Sequence, residues 1–257
     1  MSLSAERLRT LISEDIFWRD LRILETVGST NDLLKEMAQE GAPEGTVLIA
    51  EEQTAGRGRH GRAWHSPKGG AWFSILLRPR IATAQAGCVG ISLAVGLAEA
   101  LRKSYHLPIG VKWPNDLWIE GRKVAGILVE LASRGERIDW MVVGIGVNVN
   151  NAMPSATRVP ATALSLELKH TLMLENFYRV ALMGLAESYL LLLTKGFAPI
   201  QARWKALSIL GERVAVHQGV QRYEANVLGL SESGKLLVRA GQDIRELAAE
   251  EVSLSVE

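Results

Sequence analysis

Ile109-Gly110-Val111-Lys112-Trp113-Pro114-Asn115-Asp116-Leu117-Trp118-Ile119, then Lys123-Val124-Ala125-Gly126-Ile127-Leu128-Val129-Glu130, then Asp139-Trp140-Met141-Val142-Val143-Gly144-Ile145-Gly146-Val147-Asn148 follow one another with only turns between them. Each is a short run rich in apolar and β-branched residues, and Gly121-Arg122 marks a turn between the first two. No helical pattern separates them. The strands therefore pair with their sequence neighbours, and the sheet is mixed, not a regular βαβ winding. The fold class expected from this stretch is α+β.

Upstream, Ala71–Leu77 is a strongly apolar strand ended by Arg78-Pro79. Between it and the central stretch, Gln85–Ser104 is apolar almost all round and predicts a helix buried against the sheet. Thr46–Ala50 is a further strand, and Leu21–Glu25 the first. Leu8, Leu11, Ile12, Ile16 and Phe17 recur at helical spacing, a short lead-in helix with no room for a winged helix-turn-helix. The first strand runs into Ser29-Thr30-Asn31, ahead of a helix over Asp32–Gln39. Capping accounts for one of these polar residues but not for three in a row. The strand Thr46–Ala50 delivers the chain into Gln53-Thr54-Ala55-Gly56-Arg57-Gly58-Arg59-His60-Gly61-Arg62-Ala63-Trp64. Glycine permits close backbone approach and arginine brings a planar fork of donors for phosphate or carboxylate. The loop by itself fits a clamp over an anionic small molecule or a nucleic-acid patch equally.

Downstream, helical patterns cover Ala163–Leu168, Glu175–Leu193 and Ala198–Leu207. From Gly211 the pattern changes to period two in Glu212–Val216, Tyr223–Leu228 and Lys235–Arg239, punctuated by Gly219, Gly234 and Gly241. Two domains are expected, residues 1–208 and a small barrel over 209–257.

The totals narrow the function. Lys+Arg is 29 against Asp+Glu 28, without the cationic excess of a general nucleic-acid binder. The one cysteine, Cys88, excludes an internal disulfide and lies in an apolar helical context, a buried inert thiol. No secretory signal pattern is present, and the apolar run Val180–Leu193 is too short to span a bilayer and carries Glu187, so a cytoplasmic protein is expected. There is no GxxxxGK[ST], no third glycine after Gly144-Ile145-Gly146, no HExxH and no CxxC.

Four polar clusters remain: Ser29-Thr30-Asn31, the Gln53–Trp64 loop, Lys112 with Asn115, Asp116 and Lys123, and Asn148. Each stands at a strand end, where ligands sit in α/β sheets. For Lys112, a structural pair with Asp116 and a catalytic role are both open. For Lys123, Val124-Ala125-Gly126-Ile127 offers no acid, which favours a functional role, with Gly126 as a point where ligand meets backbone.

Five motifs in this order, Ser29-Thr30-Asn31, Gly56–Arg62, Lys112–Asp116, Lys123–Glu130 and Gly144–Asn148, resemble those of biotin protein ligases. The resemblance covers Leu21 to the C-terminus. It implies a catalytic domain related to class II aminoacyl-tRNA synthetases, an SH3-like barrel, and the ligase-only form without an N-terminal DNA-binding domain. It implies ATP and biotin as substrates with Mg²⁺, and a biotin carboxyl carrier protein as partner, with no nucleic acid or membrane; an edge strand leaves a homodimer open. Biotin contacts are implied for Ser29, Thr30, Asn31, Gln53, Gly56, Arg57, Lys123, Gly126, Leu128 and Gly144. ATP or adenylate contacts are implied for Arg59, Arg62, Trp64, Lys112, Asn115 and Asn148. Catalytic roles fall to Arg59, Lys123 and Asp116, Asp116 orienting the lysine nucleophile or Mg²⁺. Two positions depart from the family: His60 replaces an arginine of many relatives, and Ile145 a smaller residue, with a changed pocket floor expected from the latter. The competing readings are a lipoate ligase, which fits the ureido-reading set Ser29, Thr30 and Gln53 poorly, and a nucleic-acid binder.

Overall fold

The structure is a computed structural model that describes residues 3–12, 17–18, 20–155, 157–218, 221–249 and 252–256. The expected positions Ile16 and Gly219 lie outside them. A short helix α1 (Ala5–Leu11) leads into the first strand, shorter than the apolar spacing suggested. The main sheet contains β1 (Asp20–Val27), β2 (Thr46–Gln53), β3 (Ala71–Leu77), β4 (Ile109–Lys112), β5 (Asp116–Ile119), β6 (Arg122–Arg134) and β7 (Arg137–Val147). Their spatial order is β1-β2-β3-β7-β6-β5-β4. Only β1 and β2 run parallel; every other pair is antiparallel, so the sheet is mixed as the central stretch required.

Side chains alternate across a strand, and β7 shows how the two faces are used. Met141, Val143, Ile145 and Val147 join the main core, beneath α3 (Ala86–Tyr105) and α5 (Leu174–Lys195). Trp140 and Val142 face the other way, packing with Leu34 and Ala38 of α2 (Thr30–Gln39) and with Leu48 and Leu76. Ile145 therefore packs into the core, and it also borders the cavity between Gly144 and Gly146. The two long helices α3 and α5 are apolar enough to cross a bilayer by length and composition, yet they pack on each other as core elements. They approach closely because Gly96 lies against Gly184: a Cβ on Gly96 would stand 2.4 Å from the Gly184 carbonyl. Ser92 and Ser188 exchange hydrogen bonds across the same contact. Cys88 of α3 is 2% exposed, and burial pushes its thiol up to about 12, an inert group as expected.

Two smaller helices, α4 (Leu164–Leu168) and α6 (Ala198–Leu207), complete the first unit. The second sheet has five strands where the sequence showed three: β8 (Arg213–Gln218), β9 (Gln221–Leu230), β10 (Leu236–Ala240), β11 (Asp243–Leu247) and β12 (Val252–Val256), in the order β11-β10-β9-β8-β12. The strand β11 carries no sequence signal because four of its five residues are exposed, which leaves no alternation to read. The sheet is seated on the first unit by Trp113, whose indole donates to the Gly234 carbonyl at 3.1 Å, and by Gln201, which donates to the Leu230 carbonyl at 3.0 Å.

Candidate active site

The α2 face of the sheet opens into a cavity of about 740 Å³. It reaches from Ser29-Thr30-Asn31 and Gln53, past Gly126, Leu128, Gly144 and Gly146, to Lys112, Asn115, Asp116 and Lys123. All four polar clusters thus meet at one place. A site of this size, with apolar walls and polar groups converging on it, suits a small molecule. Its floor is bare because larger neighbours fill the space above the glycines. A Cβ on Gly144 would lie 2.3 Å from Asn31 Oδ1, and one on Gly146 would lie 2.5 Å from Trp64 Nε1. At Gly126 the close neighbours are Trp64 and Lys123, so in this structure the approach expected of a ligand is made by the protein's own side chains. Gly56 lies outside the cavity wall, packed under Ser66, Trp64 and Gln53.

At the polar end, capping is not the role of Ser29-Thr30-Asn31. Ser29 is the N-cap of α2, yet its side chain makes no cap hydrogen bond. The Gln53 carbonyl oxygen accepts from the Thr30 backbone N–H at 2.9 Å, and its amide donates to Ser66 Oγ at 3.0 Å. Behind Thr30 and Asn31 stands Ser74, buried on β3, its Oγ 2.7 Å from Thr30 Oγ1 and 2.6 Å from Asn31 Oδ1. The Asn31 amide donates to Glu130 Oε2 at 2.7 Å. Sequence reasoning assigns no role to Ser74 or Glu130, since a serine in an apolar strand and a glutamate at the end of an apolar run carry no local signal.

The cationic side depends on a bulge. Pairing of β5 with β6 slips between Leu117 and Trp118, which face Ala125 and Lys123 respectively. Val124 and Ala125 then both enter the core, and Lys123 turns to the cavity. Lys123 does have an acid: its Nζ lies 2.7 Å from Asp116 Oδ2. Strand pairing supplies this partner, which the residues following Lys123 could not reveal. Lys112 is not the lysine that makes the pair; its Nζ sits 4.6 Å over the Trp118 ring, and burial lowers its pKa, with Lys123 adding to that and Asp116 opposing it. Trp64 lies between the floor glycines and Lys123, whose Nζ is 5.1 Å from its ring.

The loop arginines divide. Arg57 pairs with Asp32 and comes within 3.9 Å of Glu130, beside Lys35, which bridges Asp32 at 2.9 Å and Glu130 at 2.7 Å. Arg59 donates to the carbonyl of Ala249, so the turn that follows β11 reaches the loop. Arg62 lines the cavity and is exposed. His60 occupies the left-handed region at φ 57° within a single 3₁₀ turn over Arg59–Gly61. Asn115 and Asn148 are buried, and their amides hold backbone: Asn115 donates to Ile127, and Asn148 donates to Thr162 at 3.0 Å. The second of these ties down a wall built from the irregular stretch that follows β7. Met153, Pro154, Thr157, Arg158, Val159 and Ala161 line the cavity there, and Pro160 accepts from the Lys123 backbone N–H at 2.8 Å.

The profile of the biotin/lipoate A/B protein ligase family matches residues 23–148. A bifunctional ligase/repressor BirA of Bacillus subtilis (strain 168) is 30% identical over 257 residues, spanning 98% of this chain and 79% of that protein. The chain belongs to the biotin protein ligases. A biotin–[acetyl-CoA-carboxylase] ligase of Paracoccus denitrificans is 33% identical over 239 residues, spanning 90% of this chain and 98% of that one. Among solved structures, a biotin protein ligase from Aquifex aeolicus in complex with biotin and ATP superposes with a TM-score of 0.81 at 32% identity, covering 93% of this chain and all of that one. The ligase fold accounts for the mixed sheet followed by a small antiparallel β unit. The resemblance in sequence also implies Mg²⁺. Among the described residues no group of three His, Cys, Asp or Glu forms a metal site. Asp116 is the one carboxylate among the described residues that line the cavity, and its Oδ1 is not the oxygen paired with Lys123. That donor set suits Mg²⁺ carried in on nucleotide phosphates, which keeps most of its ligands from phosphate and water.

Proposed function

We infer that this chain joins biotin to ATP, forming biotinyl-AMP and pyrophosphate, and then transfers the biotinyl group to a lysine of a biotin carboxyl carrier protein, releasing AMP. The observation that carries the reading is one cavity with a row of hydrogen-bonding oxygens at one end and Lys123, Lys112 and the loop arginines at the other, in a chain of the ligase family. In the first step an oxygen of the biotin carboxylate attacks the α-phosphorus, and pyrophosphate leaves with the bonding pair. Like charges at about 4 Å repel by about 4 kcal/mol per pair at an effective dielectric of 20, so fixed cations beside the path lower this barrier. In the second step the carrier amine attacks the carbonyl of the mixed anhydride and AMP leaves.

Ser29, Thr30, Asn31 and Gln53 form the end that receives the ureido ring, and Leu128, Gly126 and Gly144 the walls beside the valeryl chain. Gly56 and Arg57 position the loop over it. Lys123 holds the carboxylate and the α-phosphate, Arg59 and Arg62 the remaining phosphates, and Lys112, Asn115, Asn148 and Trp64 surround the adenylate. Asp116 positions Lys123 and orients the incoming amine or the Mg²⁺ that enters with ATP. Arg57 and Arg59 must leave Asp32 and Ala249 to do this, which makes the loop a lid that closes when substrates arrive. A carrier domain is the one macromolecule the chemistry requires; nucleic acid, a membrane or a second copy does not enter it. The test is exchange of pyrophosphate into ATP: it requires biotin and is not supported by lipoate. Exchange driven by lipoate alone, or salt-sensitive oligonucleotide binding in place of exchange, would replace this reading.

A further inference from the structure

Along the cavity wall four oxygens stand in a row, with Ser74 set behind the other three: Gln53 Oε1, Thr30 Oγ1, Ser74 Oγ and Asn31 Oδ1. Neighbours are 3.0, 2.7 and 2.6 Å apart, all hydrogen-bond distances. Each such contact needs a proton between its oxygens. The two hydroxyls bring one proton each, and the two amide oxygens bring none. The row therefore has two protons for three contacts.

The orientation of both amides creates this shortage. Gln53 is turned by the Thr30 backbone N–H, which points at its Oε1 at 2.9 Å, and by Ser66 Oγ at 3.0 Å from its nitrogen. Asn31 is turned by Glu130. A carboxylate only accepts, so the Asn31 nitrogen must face Glu130 Oε2 at 2.7 Å and its oxygen must face Ser74. Gly144 leaves the room for this arrangement, with a Cβ there clashing with Asn31 Oδ1 at 2.3 Å. Glu130 itself is anchored by Lys35 Nζ at 2.7 Å on its other oxygen.

We propose that Glu130 is a specificity-determining positioning residue: through Asn31 and Ser74 it keeps the row short of one proton, so that the wall selects a ligand that donates N–H. The cyclic urea of biotin carries two N–H donors, and a dithiolane such as that of lipoate carries none. With the Ser74 proton spent on Asn31, Thr30 Oγ1 donates to Gln53 and has two lone pairs that no donor faces, and a ring N–H arriving there supplies one. This rests on the assignment of Ser29, Thr30 and Gln53 to the ureido ring. Glu130 touches no substrate and acts only through the amide it orients.

Replacing Glu130 by glutamine removes the demand for a donor at Asn31. The Asn31 amide is then free to turn, its nitrogen donating to Ser74, and the row has three protons for three contacts. Thr30 Oγ1 then accepts from Ser74 and keeps one open lone pair in place of two, so a ligand N–H gains less there. The double variant Asn31→Asp with Glu130→Gln restores the original polarity: the carboxylate introduced at position 31 is acceptor-only toward Ser74 and accepts from the new glutamine amide. Calorimetric titration of biotin into the full chain reads the effect, with thermal melting as the check on folding. Glu130→Gln should weaken biotin about tenfold, equivalent to about 1.4 kcal/mol. The double variant should return to within about threefold of wild type, a rescue that loss of general stability would not give. Lys35→Met, which removes the anchor and leaves the Asn31 contact, should bind biotin as wild type does. The proposal is overturned if folded Glu130→Gln binds as wild type, if the double variant is no tighter than Glu130→Gln, or if Lys35→Met loses as much. Thr30→Val separates the two levels. If it loses biotin affinity while Glu130→Gln does not, the ureido assignment stands and the role of Glu130 falls; if it loses nothing, both fall.

Discussion

Replacing Lys123 by alanine deletes the ammonium that lies 2.7 Å from Asp116 and faces the middle of the cavity. The two side chains are 19% and 27% exposed, so water reaches both and the lost pair costs the fold on the order of 1 kcal/mol. The cost to the reaction is larger. A cation about 4 Å from the charge growing on the α-phosphate is worth about 4 kcal/mol at an effective dielectric of 20. Gained in full between the bound substrates and the transition state, that is at most on the order of a thousandfold in rate. Deletion also leaves Asp116 as an uncompensated negative charge where a carboxylate and a polyphosphate must meet, which adds to the loss. The assay is biotin-dependent pyrophosphate exchange at saturating biotin and ATP, with melting temperature measured alongside. Lys123→Ala should lower exchange by about 10³ with melting nearly unchanged. Exchange within tenfold of wild type in a folded protein would refute the electrostatic argument and remove Lys123 from the chemistry. Lys123→Arg tests geometry as well as charge: its planar fork keeps the charge but spreads it over a wider group than a compact ammonium, so partial activity is expected.

Gly144→Ala should displace Asn31, since the new Cβ falls 2.3 Å from its Oδ1, and should weaken biotin more than Gly126→Ala, where the nearest atom, on the Trp64 ring, is 3.2 Å away; equal affinities by calorimetry would show that the floor gives way easily. Burial opposes ionisation of Asp32, but Lys35 and Arg57 outweigh it and hold the carboxyl below its usual 3.8. Its contribution is therefore complete above about pH 3.8 and disappears as pH falls through the lowered value, so the melting difference between wild type and Asp32→Asn should be flat near neutrality and shrink below that point. A difference that grew in acid would contradict the pairing. Amide exchange across Gly56–Trp64 should slow when biotin and ATP are added together, and unchanged rates would rule out the lid.

Much of the site was legible because it lies at the ends of strands that announce themselves. The runs Ala71–Leu77 and Ile109–Asn148 are apolar enough to give the mixed sheet, and their polar termini are the residues that meet in the cavity. Contacts between those termini were not legible. Asp116 reaches Lys123 because β5 lies beside β6, and Lys123 reaches the cavity because one residue bulges. Ser74 and Glu130 sit in strands whose neighbours in sequence say nothing of Asn31, 43 and 99 residues away. The wall over 153–162 has neither periodicity nor charge pattern, and Asn148 gives it its place through a hydrogen bond.

The inventory is written along the chain: which strands form, that they pair in a mixed sheet, and which glycines, lysines and arginines are available for an anhydride-forming ligase. Periodicity and residue type are local properties, and local properties survive in one dimension. The polarity of the wall and the partners of the charges come from three-dimensional packing alone. The orientation of the two amides that end the row, Gln53 and Asn31, follows from Ser66 and Glu130, brought there by the register of β2, β3, β6 and β7. A donor or an acceptor is only half of a bond, and its other half is placed by packing.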